Sequence, residues 1–280
     1  MSGQAPVVTA HFAALADHYD VVLSDVWGVV HNGVNAHPAA CEALIKFRGK
    51  GGRVILITNA PRPNDSVARQ IAGFGVPRDV YDGIVSSGDV TRSVIQSRLG
   101  QSICHIGPDR DRPIFAGLEV TFAPIESADY VVCSGLSDDD TEGPDDYRAK
   151  LEAMLARRLF MVCGNPDVVV ERGDRLVYCA GAIADLYGTM GGEVLYAGKP
   201  YRPIYDQAVA LAGTNTAKPR ILAIGDSVRT DLKGAHAFGI DCLFITAGIH
   251  AEEIGGRDSP DSGGLDKIFA TAGRAPKAVM

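Results

Sequence analysis

Short apolar runs rich in β-branched residues recur along this chain, each closed by a small or polar cluster and several separated by helical patterns. This alternation constrains the fold more than any other feature. Residues 21–24, 54–57, 84–85, 221–224 and 242–245 have the continuous apolarity of strands buried on both faces. Helical spacing of apolar residues is found at 38–50, 64–74 and 204–211. Strand and helix in alternation predict a parallel sheet with right-handed crossovers. The first two and last two strands therefore read as one doubly wound α/β core.

The middle of the chain differs. Shorter strand candidates at 103–106, 130–133, 159–162 and 194–196 are separated by loops rich in Gly, Pro and Asp. We read residues 88–194 as a second α/β domain inserted into a discontinuous core formed by 1–87 and 195–280, an arrangement that is easy where domain termini lie close together. The acidic stretch 137–146 is expected to be a solvated loop before a helix over 147–158. The tail after Gly255 is expected to be mobile.

The 280 residues carry a net charge of −7, which argues against a nucleic-acid surface and for a small soluble partner. Six cysteines, at 41, 104, 133, 163, 179 and 242, show neither C-x-x-C spacing nor a disulfide density, so they read as buried thiols in a reducing cytoplasm. Residues 1–20 lack a basic segment followed by an apolar one, and no apolar run approaches the ~20 residues of a membrane helix. The seven histidines have no paired spacing for a transition metal and are expected mostly on the surface or in loops. Motifs for nucleoside triphosphates, dinucleotides, zinc proteolysis and serine esterase chemistry are absent.

Candidate chemistry lies at the ends of the strands. Asp25 closes the first run and is followed by Val26-Trp27-Gly28; Thr58-Asn59-Ala60-Pro61-Arg62 closes the second; Gly225-Asp226 and Asp231 follow the fourth; Gly198-Lys199-Pro200 precedes a helix. In an open α/β sheet ligands bind at the carboxyl ends of the strands. If these strands are neighbours, Asp25, Asp226 and Asp231 converge. Two such charges 4 Å apart repel by roughly 4 kcal/mol at an effective dielectric near 20. A hard cation that keeps waters and binds phosphate, Mg²⁺ above all, answers that repulsion. Lys199 adds a point charge, and the Thr58 hydroxyl with the amides of the Thr58-Asn59 turn can hold phosphoryl oxygens.

In order and residue type, Asp25-Val26-Trp27-Gly28, Thr58-Asn59, Lys199-Pro200 and Gly225-Asp226 with Asp231 resemble the four motifs of the haloacid dehalogenase-like (HAD) hydrolases. The resemblance is to their NagD-like branch, which inserts a large α/β cap into a Rossmann-like core; Asn165-Pro166-Asp167 and Gly181-Ala182 are similar to that cap. It implies a phosphatase of small phosphorylated metabolites whose cap closes over the site. Asp25 would be the nucleophile, forming an aspartyl-phosphate. Asp25, the Trp27 carbonyl, Asp226 and Asp231 would form the metal site, and Lys199 would neutralise charge. Thr58, Asn59, Arg62, Asn165 and Asp167 would bind substrate, with Arg172 and Tyr187 as further cap candidates. A homodimer through the cap is a further implication.

Trp27 departs from the pattern. Phosphatases of this family place a second Asp two residues after the nucleophile, to protonate the leaving oxygen; indole cannot shuttle a proton at neutral pH. General acid–base help is typically worth about 10²–10⁴-fold. Three explanations are open: His31 on the same loop supplies the proton, the substrates have good leaving groups, or the site only binds phosphate. A metal-independent dehalogenase is a further alternative, opposed by the presence of Asp226 and Asp231.

Overall fold

The computed structural model describes residues 6–172, 175–213, 217–256 and 261–280. Before the insert lie β1 (Val7–Val8), α1 (Ala13–Ala16), β2 (Val21–Ser24), α2 (Pro38–Gly49), β3 (Arg53–Thr58), α3 (Asn64–Gly73) and β4 (Gly83–Ser86). Next come α4 (Ser87–Gln96), β5 (Ser102–Ile106), β6 (Thr121–Phe122), β7 (Tyr130–Cys133), α5 (Arg148–Ala156), β8 (Phe160–Cys163), β9 (Val169–Arg172), β10 (Arg175–Tyr178), α6 (Ala180–Thr189) and β11 (Val194–Tyr196). The chain ends with α7 (Arg202–Ala212), β12 (Ile221–Gly225), α8 (Lys233–Phe238), β13 (Asp241–Phe244), α9 (Ser262–Thr271) and β14 (Ala278–Val279). Among the described residues no helix is long and apolar enough to cross a membrane.

These elements form two compact units. The first comprises Met1–Thr58, Ala68–Val85 and Pro200–Met280. Its seven strands run in the order β1-β14-β13-β12-β2-β3-β4, with β12, β2 and β3 parallel and in register through Ile224, Ser24 and Leu56. Val22, Leu23 and Val54 to Leu56 are completely buried, as their unbroken apolarity demands.

The carboxyl-terminal tail is not a loose end. Residues 257–260 lie outside the described set, but α9 and β14 follow, and β14 pairs with β1 on one side and β13 on the other. Leu265, Ile268 and Phe269 are buried, so an apolar helix face holds a segment that composition alone suggests is solvated.

The second unit comprises Asn59–Val67 and Ser86–Lys199. Its five parallel strands run β11-β8-β7-β5-β6, with an antiparallel β9–β10 hairpin beside them in sequence. One core gathers Leu151, Met154, Ile183 and Tyr187 against Val131 and Met161; the other gathers Ile95, Ile114 and Phe115 against Ile103 and Val132. The unit is thus wider than 88–194, and local bonds account for the difference. Ser86 and Asp89 form a capping box that starts α4, Ser86 Oγ donates to the Arg62 carbonyl (2.5 Å), and Gly88 N–H donates to the Ala60 carbonyl (3.1 Å). The acidic loop leads through a 3₁₀ turn, Pro144–Tyr147, into α5.

Candidate active site

From β2 the chain proceeds through β3 to β4 on one side, and from β12 through β13 to β14 on the other. The strand order therefore reverses between β12 and β2, and the carboxyl ends of strands at such a reversal are where open α/β sheets bind ligands. Asp25 and Asp226 are the first residues beyond those two strands, and Thr58 is the last residue of β3. Asp25 N–H donates to the Ile224 carbonyl (2.7 Å), and Val26 N–H donates to Asp25 Oδ1 (2.7 Å), which fixes the carboxylate. Ile249 N–H holds Asp226 Oδ2 (2.9 Å), and Ser227 N–H holds Asp231 Oδ2 (3.1 Å).

Asp25, Asp226 and Asp231 each offer an oxygen within 4.8 Å of the others. All three are buried. Hard oxygen donors gathered this closely suit a hard divalent cation, and like charges so near one another need a positive partner.

Glycine makes that approach possible. A Cβ on Gly28, at φ +78°, or on Gly248 would stand 2.1 Å from Asp226 Oδ2, and one on Gly225 would stand 2.1 Å from Asp231 Cγ. Gly248 and the Ile249 amide escape sequence reasoning: they lie four and five residues beyond the end of β13, and no charged residue marks the spot.

Trp27 is 38% exposed. Its indole lies over Gly33, where a Cβ would meet Cη2 at 2.4 Å, and meets the His31 ring edge-on at 5.2 Å. His31 is not a loose surface residue. It is 3% exposed, rests against Phe74 as well as Trp27, and accepts the Gly33 N–H at Nδ1 (2.8 Å). Burial, with His37 adding a little, lowers its pKa to about 4, so the ring is neutral at pH 7. His105, on strand β5, is an exception to the expectation that the histidines lie mostly on the surface or in loops: it is half-buried, and burial likewise lowers its pKa to about 4.

In the second unit, Asn59 and Lys199 are buried and joined: Lys199 N–H donates to Asn59 Oδ1 (2.7 Å) and Asn59 Nδ2 donates to the Lys199 carbonyl (3.0 Å). Asn59 Nδ2 also donates to Asp167 Oδ1 (2.9 Å), and Asp167 N–H donates to Asn165 Oδ1 (3.1 Å). Four of the sequence candidates thus form one hydrogen-bonded chain. Arg62 is half-buried in the field of Asp111 and Arg110, and burial keeps its pKa below the ordinary value. Tyr187 does not face a ligand; it is completely buried and donates its hydroxyl hydrogen to the Leu159 carbonyl (2.6 Å). The Arg172 side chain lies outside the described residues.

Comparison with known proteins agrees with this fold. The profile of the haloacid dehalogenase-like hydrolase family matches residues 22–121, and a HAD-hydrolase-like profile matches 196–263. A crystal structure of a haloacid dehalogenase-like hydrolase from Brucella suis 1330 is 43% identical, with a TM-score of 0.85 over 98% of each chain. The 5'-nucleotidase YutF of Bacillus subtilis is 25% identical over 84% of this chain and 90% of its own. Ribonucleotide monophosphatase NagD of Escherichia coli K12 is 24% identical over 81% of this chain and 88% of its own. With its four motifs, its inserted α/β unit and these relatives, the chain belongs to the haloacid dehalogenase-like hydrolase family, in the NagD-like branch.

Proposed function

We propose that this hydrolase is a Mg²⁺-dependent phosphatase of small phosphomonoesters, with Asp25 as nucleophile. The observation that carries the reading is the meeting of Asp25, Asp226 and Asp231 within 4.8 Å at the strand-order reversal. The nucleotidase and nucleotide monophosphatase relatives support a phosphorylated metabolite as substrate.

Asp25, Asp226 and the Trp27 carbonyl would hold the cation, with Asp231 supporting them, and the bound ion would screen the carboxylate and phosphoryl charges. Val26 N–H fixes one carboxylate oxygen of Asp25, which orients the group for in-line attack on phosphorus. The new bond is Asp25 O–P; the P–O bond to the leaving group breaks, and water then hydrolyses the aspartyl-phosphate. Thr58 Oγ would donate a hydrogen bond to the phosphoryl group, and Lys199 would supply the compensating positive charge. With indole at position 27 and a neutral, engaged His31 on the same loop, neither side chain supplies an acid for the leaving oxygen. The reading therefore favours leaving groups that depart as stable anions, such as aryl or acyl phosphates.

Turnover of p-nitrophenyl phosphate and glycerol phosphate, with and without Mg²⁺, tests this. The expected result is Mg²⁺-dependent turnover, faster for the aryl ester by about 10²-fold or more, and a fall of about 10³-fold or more in Asp25→Asn. Activity surviving that substitution overturns the nucleophile. Equal rates on both esters overturn the leaving-group preference, and phosphate binding without release of nitrophenol leaves a binding protein.

A further inference from the structure

The Asn59 side chain meets the main chain of Lys199 as one peptide meets another across a sheet. It accepts from the Lys199 N–H through Oδ1 (2.7 Å) and donates through Nδ2 to the Lys199 carbonyl (3.0 Å). The remaining Nδ2 proton goes to Asp167 Oδ1 (2.9 Å). These three partners permit one orientation of the amide, because the acceptor must face the N–H and the donors must face the carbonyl and the carboxylate. Asp167 is itself held at its N–H by Asn165 Oδ1 (3.1 Å).

Gly198 completes the clasp. A Cβ there would stand 2.3 Å from Asn59 Oδ1 and 2.9 Å from both Pro166 Cδ and Ser87 Oγ, so the residue before Lys199 must be glycine for the amide to reach in. The consequence for chemistry lies in the lysine. Its charge stands on a flexible four-carbon stem, and holding both main-chain groups fixes the root of that stem. Both amide protons of Asn59 go to protein acceptors, which is the pattern of a strut instead of a substrate ligand.

We propose that Asn59 is a positioning residue acting through Lys199, with Asp167 as the group that orients its amide. The inference rests on the proposed role of Lys199 in phosphoryl transfer. It reassigns Asn59 and Asp167 from substrate contact to alignment of the lysine.

A double-mutant cycle on the full chain tests it, read as p-nitrophenyl phosphate hydrolysis with Mg²⁺ and with inorganic phosphate as inhibitor. Asn59→Ala is expected to lower kcat/KM by about 30-fold, mainly through kcat. In a Lys199→Ala background the same substitution is expected to cost less than about 3-fold, because its route of action is already gone. Asp167→Ala, the milder change, is expected to cost about 5-fold and to lose that effect in the Lys199→Ala background. Inhibition by inorganic phosphate is expected to stay within about 3-fold in Asn59→Ala and Asp167→Ala. Equal losses in both backgrounds, or a phosphate inhibition constant that rises in step with KM, would make Asn59 a direct ligand and overturn the proposal. Full activity in Lys199→Ala alone instead removes the lysine from the mechanism, a failure of the functional reading that the cycle reports separately.

Discussion

The two parallel sheets each reverse their strand order between neighbours, β12 and β2 in the first unit and β7 and β5 in the second, yet the groups at and after those strand ends differ in kind. The first edge gathers three carboxylates, with glycines where any side chain would collide. In the second, polar groups answer one another. His105 Nε2 pairs with Ser134 Oγ at 2.9 Å, and the buried Asp111 shares a hydrogen bond with Ser134 and the field of Arg110 and Arg62. The same reversal of strand order occurs twice, so topology does not decide which strand edge becomes a reaction centre. The difference is charge compensation: the first edge concentrates like charges, and the second mixes neutral, acidic and basic groups.

Placing the same methyl group at both edges gives the largest contrast. Gly248→Ala puts a Cβ 2.1 Å from Asp226 Oδ2 and is expected to cost on the order of 10²–10³-fold in Mg²⁺-dependent activity. Gly107→Ala puts one 2.1 Å from Ser134 Oγ at φ +154° and is expected to cost about 2 kcal/mol of stability while activity per folded molecule is kept. Paired denaturation and kinetic measurements decide the matter. If Gly107→Ala inactivates the folded enzyme, the second edge is no mere scaffold.

The pH response of the second edge is the next test. Burial, opposed by Arg110, Ser134 and Arg62, raises Asp111 from 3.8 to about 6, so the folded state binds its proton more tightly than the unfolded one. Stability from this group is present below pH 4 and lost as pH rises through 6, a swing of about 3 kcal/mol. His105, lowered from 6.5 to about 4 chiefly by burial, works the other way, its contribution lost as pH falls from 6.5 to 4. The two slopes oppose each other within one window. Asp111→Asn should unmask the histidine, and its stability relative to the parent protein should fall by about 2 kcal/mol on acidification from pH 6.5 to 4. Parallel denaturation curves across that range would show that Asp111 titrates as an ordinary carboxylate.

The smallest expected effect concerns the first edge. Trp27→Asp restores a group able to protonate a leaving oxygen but removes the indole from Gly33 and His31. The ratio of alkyl to aryl phosphate turnover is expected to rise by about 10-fold, at the lower end for general acid catalysis because packing is lost. An unchanged ratio would separate the Trp27 position from leaving-group choice.

Much of this was legible before folding was considered. Residues 21–24, 130–133 and 194–196 are strands with those bounds, and the helices expected at 38–50 and 64–74 end within a residue of α2 and α3, because each carries its own periodicity. Helix α4 was not read from the sequence, although Ser86 and Asp89 have the spacing of a capping box. Strands β1 and β14 were not legible, since two residues have no period, and only pairing with each other and with β13 makes them strands. His31 misled for a related reason: nothing local says that Phe74 and Trp27 will enclose it.

Local chemistry along the chain thus determined which residues could react: a carboxylate, a hydroxyl or a lysine beside an apolar run is visible as such, because strand burial depends on neighbours in sequence. Tertiary structure decided how they are held. The distance among three carboxylates, the glycines that allow it and the engagement of the Asn59 amide depend on segments far apart in the chain. Such contacts follow from strand order and close packing, which one-dimensional patterns do not encode.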